Sequence, residues 1–162
     1  MRTYRLQTQL WLPQPREEIF NFFSDPSNLD RLTPPWLHFE ILTPKSVEMN
    51  AGTLLDYRLR LHGIPLRWQS EILVWEPPNR FIDRQIKGPY RQWVHEHNFS
   101  AHQGGTLVGD SVIYAVPGGR IVQKLWVAPD LDRVFGYRHK ILKELFNPQQ
   151  AKTAQSSPVQ TI

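Results

Sequence analysis

The run Thr53-Leu-Leu-Asp-Tyr-Arg-Leu-Arg-Leu-His-Gly-Ile-Pro-Leu-Arg-Trp-Gln-Ser-Glu-Ile-Leu-Val-Trp75 decides the fold. In its first half Leu55, Tyr57, Leu59 and Leu61 fall on one side, with Asp56, Arg58 and Arg60 opposite. In its second half Leu66, Trp68, Ser70, Ile72 and Val74 share a side, with Arg67, Gln69 and Glu71 opposite. Side chains alternate across a strand, so this period of two predicts two half-buried strands. His62-Gly63 between them supplies a tight turn, and the pair reads as a hairpin. One face of that ribbon cannot stay in water.

The pattern continues on both sides. Arg80 to Ile86 follows Pro77-Pro78-Asn79, Tyr90 to Ala101 follows Gly88-Pro89, and Thr106 to Val116 follows the turn Gly104-Gly105. Consecutive strands joined by short turns form an antiparallel meander. Upstream, Tyr4 to Leu12 places Tyr4, Leu6, Thr8, Leu10 and Leu12 on one face, and Phe39 to Leu42 reads as a further strand. Between these two, Pro15-Arg-Glu-Glu opens a helix with an apolar side of Ile19, Phe20, Phe22 and Phe23. Ser24-Asp-Pro-Ser starts a second short helix that ends before Pro34-Pro35.

The C-terminal part is helical. Ile121, Val122, Leu125 and Trp126 fit a short helix. Asp130 is expected to cap a longer one with the stripe Leu131, Val134, Phe135, Ile141, Leu142, Leu145 and Phe146. Arg133, Arg138, Lys140 and Lys143 on this helix, like Arg58, Arg60 and Arg67 on the hairpin, are read as solvated. The fold class is therefore α+β: a curved antiparallel sheet of about six to seven strands around a long C-terminal helix, with two short helices after strand one. A sheet bent around one rod leaves space between them.

The chain of 162 residues suits one domain, assigned to residues 1–147, with 148–162 as a polar, disordered tail. It has no cysteine, which removes disulfides, thiolate zinc sites and cysteine nucleophiles. The opening Met1-Arg-Thr-Tyr-Arg-Leu-Gln-Thr-Gln-Leu lacks a signal-peptide pattern, and no window reaches the ~20 apolar residues of a membrane span. A cytoplasmic protein without stable membrane insertion is expected. The net charge of +4 is mild and the basic residues are interrupted by Asp56 and Glu71, so no nucleic-acid partner is expected. Gly-x-Gly-x-x-Gly, P-loop, Gly-x-Ser-x-Gly and His-Glu-x-x-His patterns are missing, and no cofactor is expected.

The order of elements and four local patterns resemble the helix-grip fold of the START-like, or SRPBCC, superfamily. The patterns are Phe81-Ile-Asp-Arg-Gln, Gly88-Pro-Tyr-Arg-Gln-Trp-Val-His-Glu-His-Asn-Phe, Gly105-Thr-Leu-Val-Gly-Asp and Asp130-Leu-Asp-Arg-Val-Phe-Gly-Tyr-Arg. Together they resemble a stand-alone bacterial branch labelled polyketide cyclase/dehydrase-like, ubiquinone-binding-like or cell-division-inhibitor-like. The resemblance implies a deep, largely apolar cavity for a hydrophobic or aromatic molecule. Fold alone does not fix function.

Strand alternation then names candidate residues. In Arg91 to Phe99 the odd positions include Trp93 and Phe99, so His95 and His97 also point inward. Val108, Asp110, Val112 and Tyr114 share a face, which puts Asp110 near the histidines. In the Arg80 strand, either Phe81, Asp83 and Gln85 or Ile82 and Ile86 face inward, and the resemblance favours Asp83 and Gln85. Polar groups on a cavity wall must be bonded, and Asp83, Gln85, His95, His97 and Asp110 can satisfy one another. Such a network could brace the sheet, orient a ligand, or run acid–base chemistry with His95 or His97 against Asp83 or Asp110. His-x-His with either aspartate also has metal-ligand spacing, though no metal is assigned. Tyr57, Trp68, Trp93 and Tyr114 are expected to line the cavity, with Trp36 beside Pro34-Pro35 as a gate. The leading expectation is a binding or carrier protein for a lipid, quinone or polyketide-like molecule. A cyclase or dehydratase, and an interaction module with a possible homodimer interface at the helical end, are the alternatives.

Overall fold

In the computed structural model, which describes residues 1–149, seven antiparallel strands form one sheet. They are β1 (Tyr4–Leu12), β2 (Glu40–Ile41), β3 (Leu54–Leu61), β4 (Ile64–Glu76), β5 (Arg80–Lys87), β6 (Gln92–His102) and β7 (Gly105–Ala115). Across the sheet the order is β1-β7-β6-β5-β4-β3-β2. The meander from β3 to β7 follows directly from the short turns, and β1 closes onto β7 from Tyr4↔Tyr114 to Leu12↔Thr106. Helices α1 (Arg16–Ser24) and α2 (Asn28–Leu32) and the turn Pro35–Leu37 link β1 to β2. Helix α3 (Gly119–Val122) runs through a π-helical segment, Gln123–Val127, into α4 (Ala128–Phe146). This is the α+β arrangement the strand periods predict, a curved sheet around one long terminal helix. Residues 150–162, most of the expected tail, lie outside the described residues.

Local chemistry explains the elements. Pro15 precedes α1, Glu17 and Glu18 occupy its first turn where the helix dipole favours anions, and Ile19, Phe20 and Phe23 are buried. His62 and Gly63 both adopt positive φ (50° and 79°), the geometry of a two-residue hairpin turn. Two apolar clusters form the core. One gathers Leu12, Ile19, Phe20, Ile72, Phe99 and Leu142; the other gathers Trp93, Val112, Tyr114, Leu131 and Phe135. Trp68 packs against both.

Several expectations are corrected. The register of β4 on β5 shifts between Ile72 and Val74, so Leu73 is an extra, exposed residue. A bulge reverses the alternation beyond it. Trp75, rather than Val74, then reaches the core and meets Phe20 at 5.2 Å and Phe81 at 5.5 Å. The expected strand Phe39 to Leu42 shortens to Glu40–Ile41. Asp130 does not cap α4, because helical backbone already precedes it; its Oδ2 instead meets His62 Nε2 at 2.6 Å and ties the β3–β4 turn to the helix. Leu145, expected in the stripe, is exposed. Ile121, Leu125 and Trp126 are also exposed, an apolar patch at the helical end.

The β6–β7 turn is made by Gln103 and Gly104 rather than Gly104-Gly105. Gly105 is already in β7, and a Cβ there would lie 2.2 Å from the carbonyl oxygen of Leu12. Gly105→Ala is expected to cost about 1–3 kcal/mol of stability by urea unfolding, the usual range for overpacking. An unchanged midpoint would mean that the end of β1 yields freely.

Candidate functional site

The sheet curves around α4, and the gap between them is not filled. A cavity of about 410 Å³ lies between them, within the usual range for small-molecule sites. Its wall is mainly apolar. Leu55, Tyr57, Phe81 and Trp93 come from the sheet and Leu131 and Phe135 from α4. At one end Trp68, Tyr90 and Trp93 form a three-ring corner with centroid separations of 5.6, 5.4 and 4.7 Å. Trp36 lies on the wall, 52% exposed, with its ring edge-on to Tyr137 at 5.8 Å.

A polar row crosses five strands beneath this wall. Thr8 Oγ1 on β1 donates to Asp110 Oδ2 on β7 at 3.3 Å, and Asp110 Oδ1 takes His95 Nε2 at 2.7 Å. On β6, His95 and His97 lie ring against ring at 3.7 Å. His97 Nε2 reaches Asp83 Oδ2 on β5 at 2.9 Å, and Ser70 Oγ on β4 donates to Asp83 Oδ1 at 3.4 Å. Trp68 Nε1 completes the row by donating to Ser70 Oγ at 3.0 Å. The register places Asp83 opposite His95 and Asp110 opposite His97, yet each carboxylate takes the diagonal histidine as its closest partner. Diagonal neighbours on one sheet face are within reach of long side chains.

From above, Arg138 on α4 enters the same cluster. Its Nη2 is 3.4 Å from His97 Nδ1 and 3.9 Å from Asp110 Oδ1, and its guanidinium lies over Phe23 at 5.1 Å. Arg138 is 9% exposed, which overturns its assignment to a solvated face. The reason is helical spacing. Leu131, Phe135, Arg138 and Leu142 are the buried side of α4, so Arg138 stands in the middle of the apolar stripe. The spacing was readable in the sequence, and charge alone argued against it.

Electrostatics fixes the charge states. Burial, helped by His95 and opposed by the Asp83 bond, pushes the His97 pKa down to about 4, so its ring is neutral at pH 7. Burial alone would raise Asp110, but Arg138 and the His95 bond outweigh it and hold that carboxyl well below its usual range. Asp83 is likewise held low, against the pull of burial, by His97, His95 and Arg138. Burial, with Asp83 and Asp56 nearby, raises Tyr57 well above 10.0 and keeps its phenol protonated.

Of the residues singled out from the sequence, Tyr57, Trp68, Asp83, Trp93, His95 and His97 line the cavity. Asp110 sits behind the histidines as their partner and is off the wall. Gln85 is also off the wall. Its Nε2 donates to the Tyr90 carbonyl at 2.7 Å and its Oε1 accepts the Tyr90 N–H at 3.2 Å, bracing the loop before β6. Tyr114 packs between Tyr4 and Trp93, and its hydroxyl accepts Gln123 Nε2 at 3.2 Å, so it belongs to the core. Ser70 and Arg138 were missed as site residues, although Ser70 fell on the apolar face of its strand. Asp83, His95 and His97 bring ligand-type atoms within 4.8 Å of one another, the described cluster best placed for a metal. Those residues already hydrogen-bond within the row, and the Arg138 cation beside His97 opposes a second cation. No described helix is long and apolar enough to cross a membrane.

A family model described as "Polyketide cyclase / dehydrase and lipid transport" matches residues 12–128. None of the curated proteins matches the chain. Among solved structures, protein TTHA0849 from Thermus thermophilus superposes with a TM-score of 0.68 at 19% identity, covering 95% of this chain and 100% of that one. Major latex-like protein 151 from Panax ginseng gives 0.64 at 13% identity, covering 90% and 99%. The di-domain ARO/CYC StfQ of the steffimycin biosynthetic pathway gives 0.68 at 11% identity, covering 93% of this chain and 52% of that one. At these identities the likeness is one of fold.

Proposed function

Since the chain belongs to the polyketide cyclase/dehydrase and lipid transport family, we propose that it binds and carries a hydrophobic or aromatic small molecule in the cavity between sheet and α4. The observation that carries this reading is the open, mainly apolar-walled space of about 410 Å³ with a buried polar row on its sheet side. Such a site draws its affinity from apolar burial, roughly 25 cal/mol per Å², and its orientation from the few polar groups. A lipid, a quinone and a polyketide-like molecule all fit that description. A cytoplasmic location belongs to the same reading, supported by the lack of cysteine.

Mass spectrometry of solvent extracts, together with melting curves in the presence of quinones, polyphenols and lipids, tests the proposal. A true ligand at a hundred times its Kd stabilises the fold by about 2.7 kcal/mol. Empty extracts and no shift across the panel would refute the reading. Trp36→Ala is expected to weaken binding about threefold to tenfold, the worth of one aromatic contact, with the melting temperature unchanged because Trp36 is half exposed. Unaltered affinity would remove Trp36 from the entrance.

One observation favours a second reading. His95 lines the cavity while its Nε2 is held by the Asp110 carboxylate, the orientation a general base requires. A cyclase or dehydratase built on it would lose its turnover in His95→Gln while still binding the ligand. His97, with a pKa near 4, is too weak a base for that role at neutral pH.

A further inference from the structure

Arg138 is a buried cation that spends little of its hydrogen-bonding capacity among the described residues. A guanidinium carries five N–H donors. Here one long contact of 3.4 Å runs from Nη2 to His97 Nδ1, Asp110 approaches the same nitrogen at 3.9 Å, and Nη1 has no acceptor among the described residues; Nε is sealed inside the protein and plays no part. Phe23 covers one face. Buried donors in folded proteins are normally satisfied, so an unspent guanidinium on a cavity wall calls for an acceptor from outside the chain. Asp83 offers the complement, since among the described residues its Oδ1 receives only the 3.4 Å contact from Ser70.

Building on the cavity reading, we infer that Arg138 is the polar anchor of the ligand and takes a neutral carbonyl-type oxygen rather than a carboxylate. Charge decides between the two. Asp83 and Asp110 are ionised and His97 is neutral, so the Arg138 cation already faces two anions. A ligand carboxylate would bring a third negative charge into the same buried cluster, against the cost of desolvating it. A ketone or quinone oxygen uses the spare donors and adds no charge. A hydroxyl elsewhere on the same frame can donate to Asp83 Oδ1. The ligand class is therefore a neutral aromatic or polycyclic hydroxy-ketone, and fatty-acid anions are discriminated against.

The test uses bicyclic probes of one size and the full chain at pH 7: 5-hydroxy-1-tetralone, 1-tetralone, 5,6,7,8-tetrahydro-1-naphthol and 5,6,7,8-tetrahydro-1-naphthoate, each titrated by calorimetry. Removing the carbonyl from the hydroxy-ketone is expected to weaken binding about tenfold or more, the worth of one hydrogen bond to a charged group. The carboxylate is expected to bind weakest. In Arg138→Leu the carbonyl advantage should vanish, and in Arg138→Lys it should shrink; the probe series on the unaltered protein stands even if a variant fails to fold. Tightest binding by the naphthoate, no carbonyl advantage, or an equal advantage in Arg138→Leu would each overturn the inference while leaving the carrier reading intact. Binding of none of the probes would overturn the inference too, while the carrier reading falls only with empty extracts and no shift across the panel of quinones, polyphenols and lipids.

Discussion

Replacing Asp110 with alanine is expected to cost the fold about 3–5 kcal/mol, the range for breaking a buried charge network by removing one partner. The Asp110 side chain is 2% exposed; it accepts from His95 at 2.7 Å and from Thr8 at 3.3 Å, and the Arg138 cation lies 3.9 Å away. Its loss leaves Arg138 with Asp83 as the remaining nearby anion and strands His95 without an acceptor. A cavity the size of a carboxylate adds to the cost. Urea unfolding of Asp110→Ala against the parent chain measures it. Adding Arg138→Leu should recover part of the loss, because the two residues share one network and their effects do not add. A loss below about 1 kcal/mol would mean that the cluster is held by packing rather than by charge.

Stability should fall by about 3 kcal/mol between neutral pH and pH 4, beginning near 6.5. The sign follows from His97. Its folded pKa is near 4 and its ordinary value is 6.5, so the unfolded chain takes up the proton first. Above 6.5 neither state is protonated and the full stability is present. Between 6.5 and 4 protons favour the unfolded chain. Below about 4 the depressed carboxyls of Asp83 and Asp110 extend the loss, since their contribution exists only above the ordinary carboxylate range. The groups facing His97 are Asp83 from β5, His95 from its own strand, Asp110 from β7 and Arg138 from α4. Urea midpoints measured from pH 7 to pH 4 should trace the loss, and His97→Asn should erase its upper part. A flat profile from pH 7 to pH 5 would show that His97 is not a buried neutral ring.

Much of the fold was legible in period two. β1, β3, β5 and β6 appear within a residue or two of their expected limits, and His95 and His97 face inward because Trp93 and Phe99 do. Legibility ended where one residue changed the phase. Leu73 is an ordinary apolar residue in sequence, and nothing local marks it as the bulge that turns Trp75 onto Phe20. The site was half legible. Alternation placed His95 and His97 inward and only the family resemblance favoured Asp83 and Gln85 there; Gln85, on the same face as Asp83, spends its amide on the Tyr90 backbone, a partner that depends on how the next loop folds back. Arg138 shows the opposite failure. Helical spacing put it in the core, and its charge argued for solvent until a counterion on a distant strand, Asp110, was in view.

The sequence by itself determined the strands, the helices, their order and, for most of the strands, the apolar face, because these depend on neighbours two to four residues apart. The tertiary structure alone decided that the gap between sheet and α4 stays open and that Arg138 descends onto His97 and Asp110. Both depend on sheet curvature and on the rotation of α4 about its axis, which are set by the packing of the whole core and carry no local period.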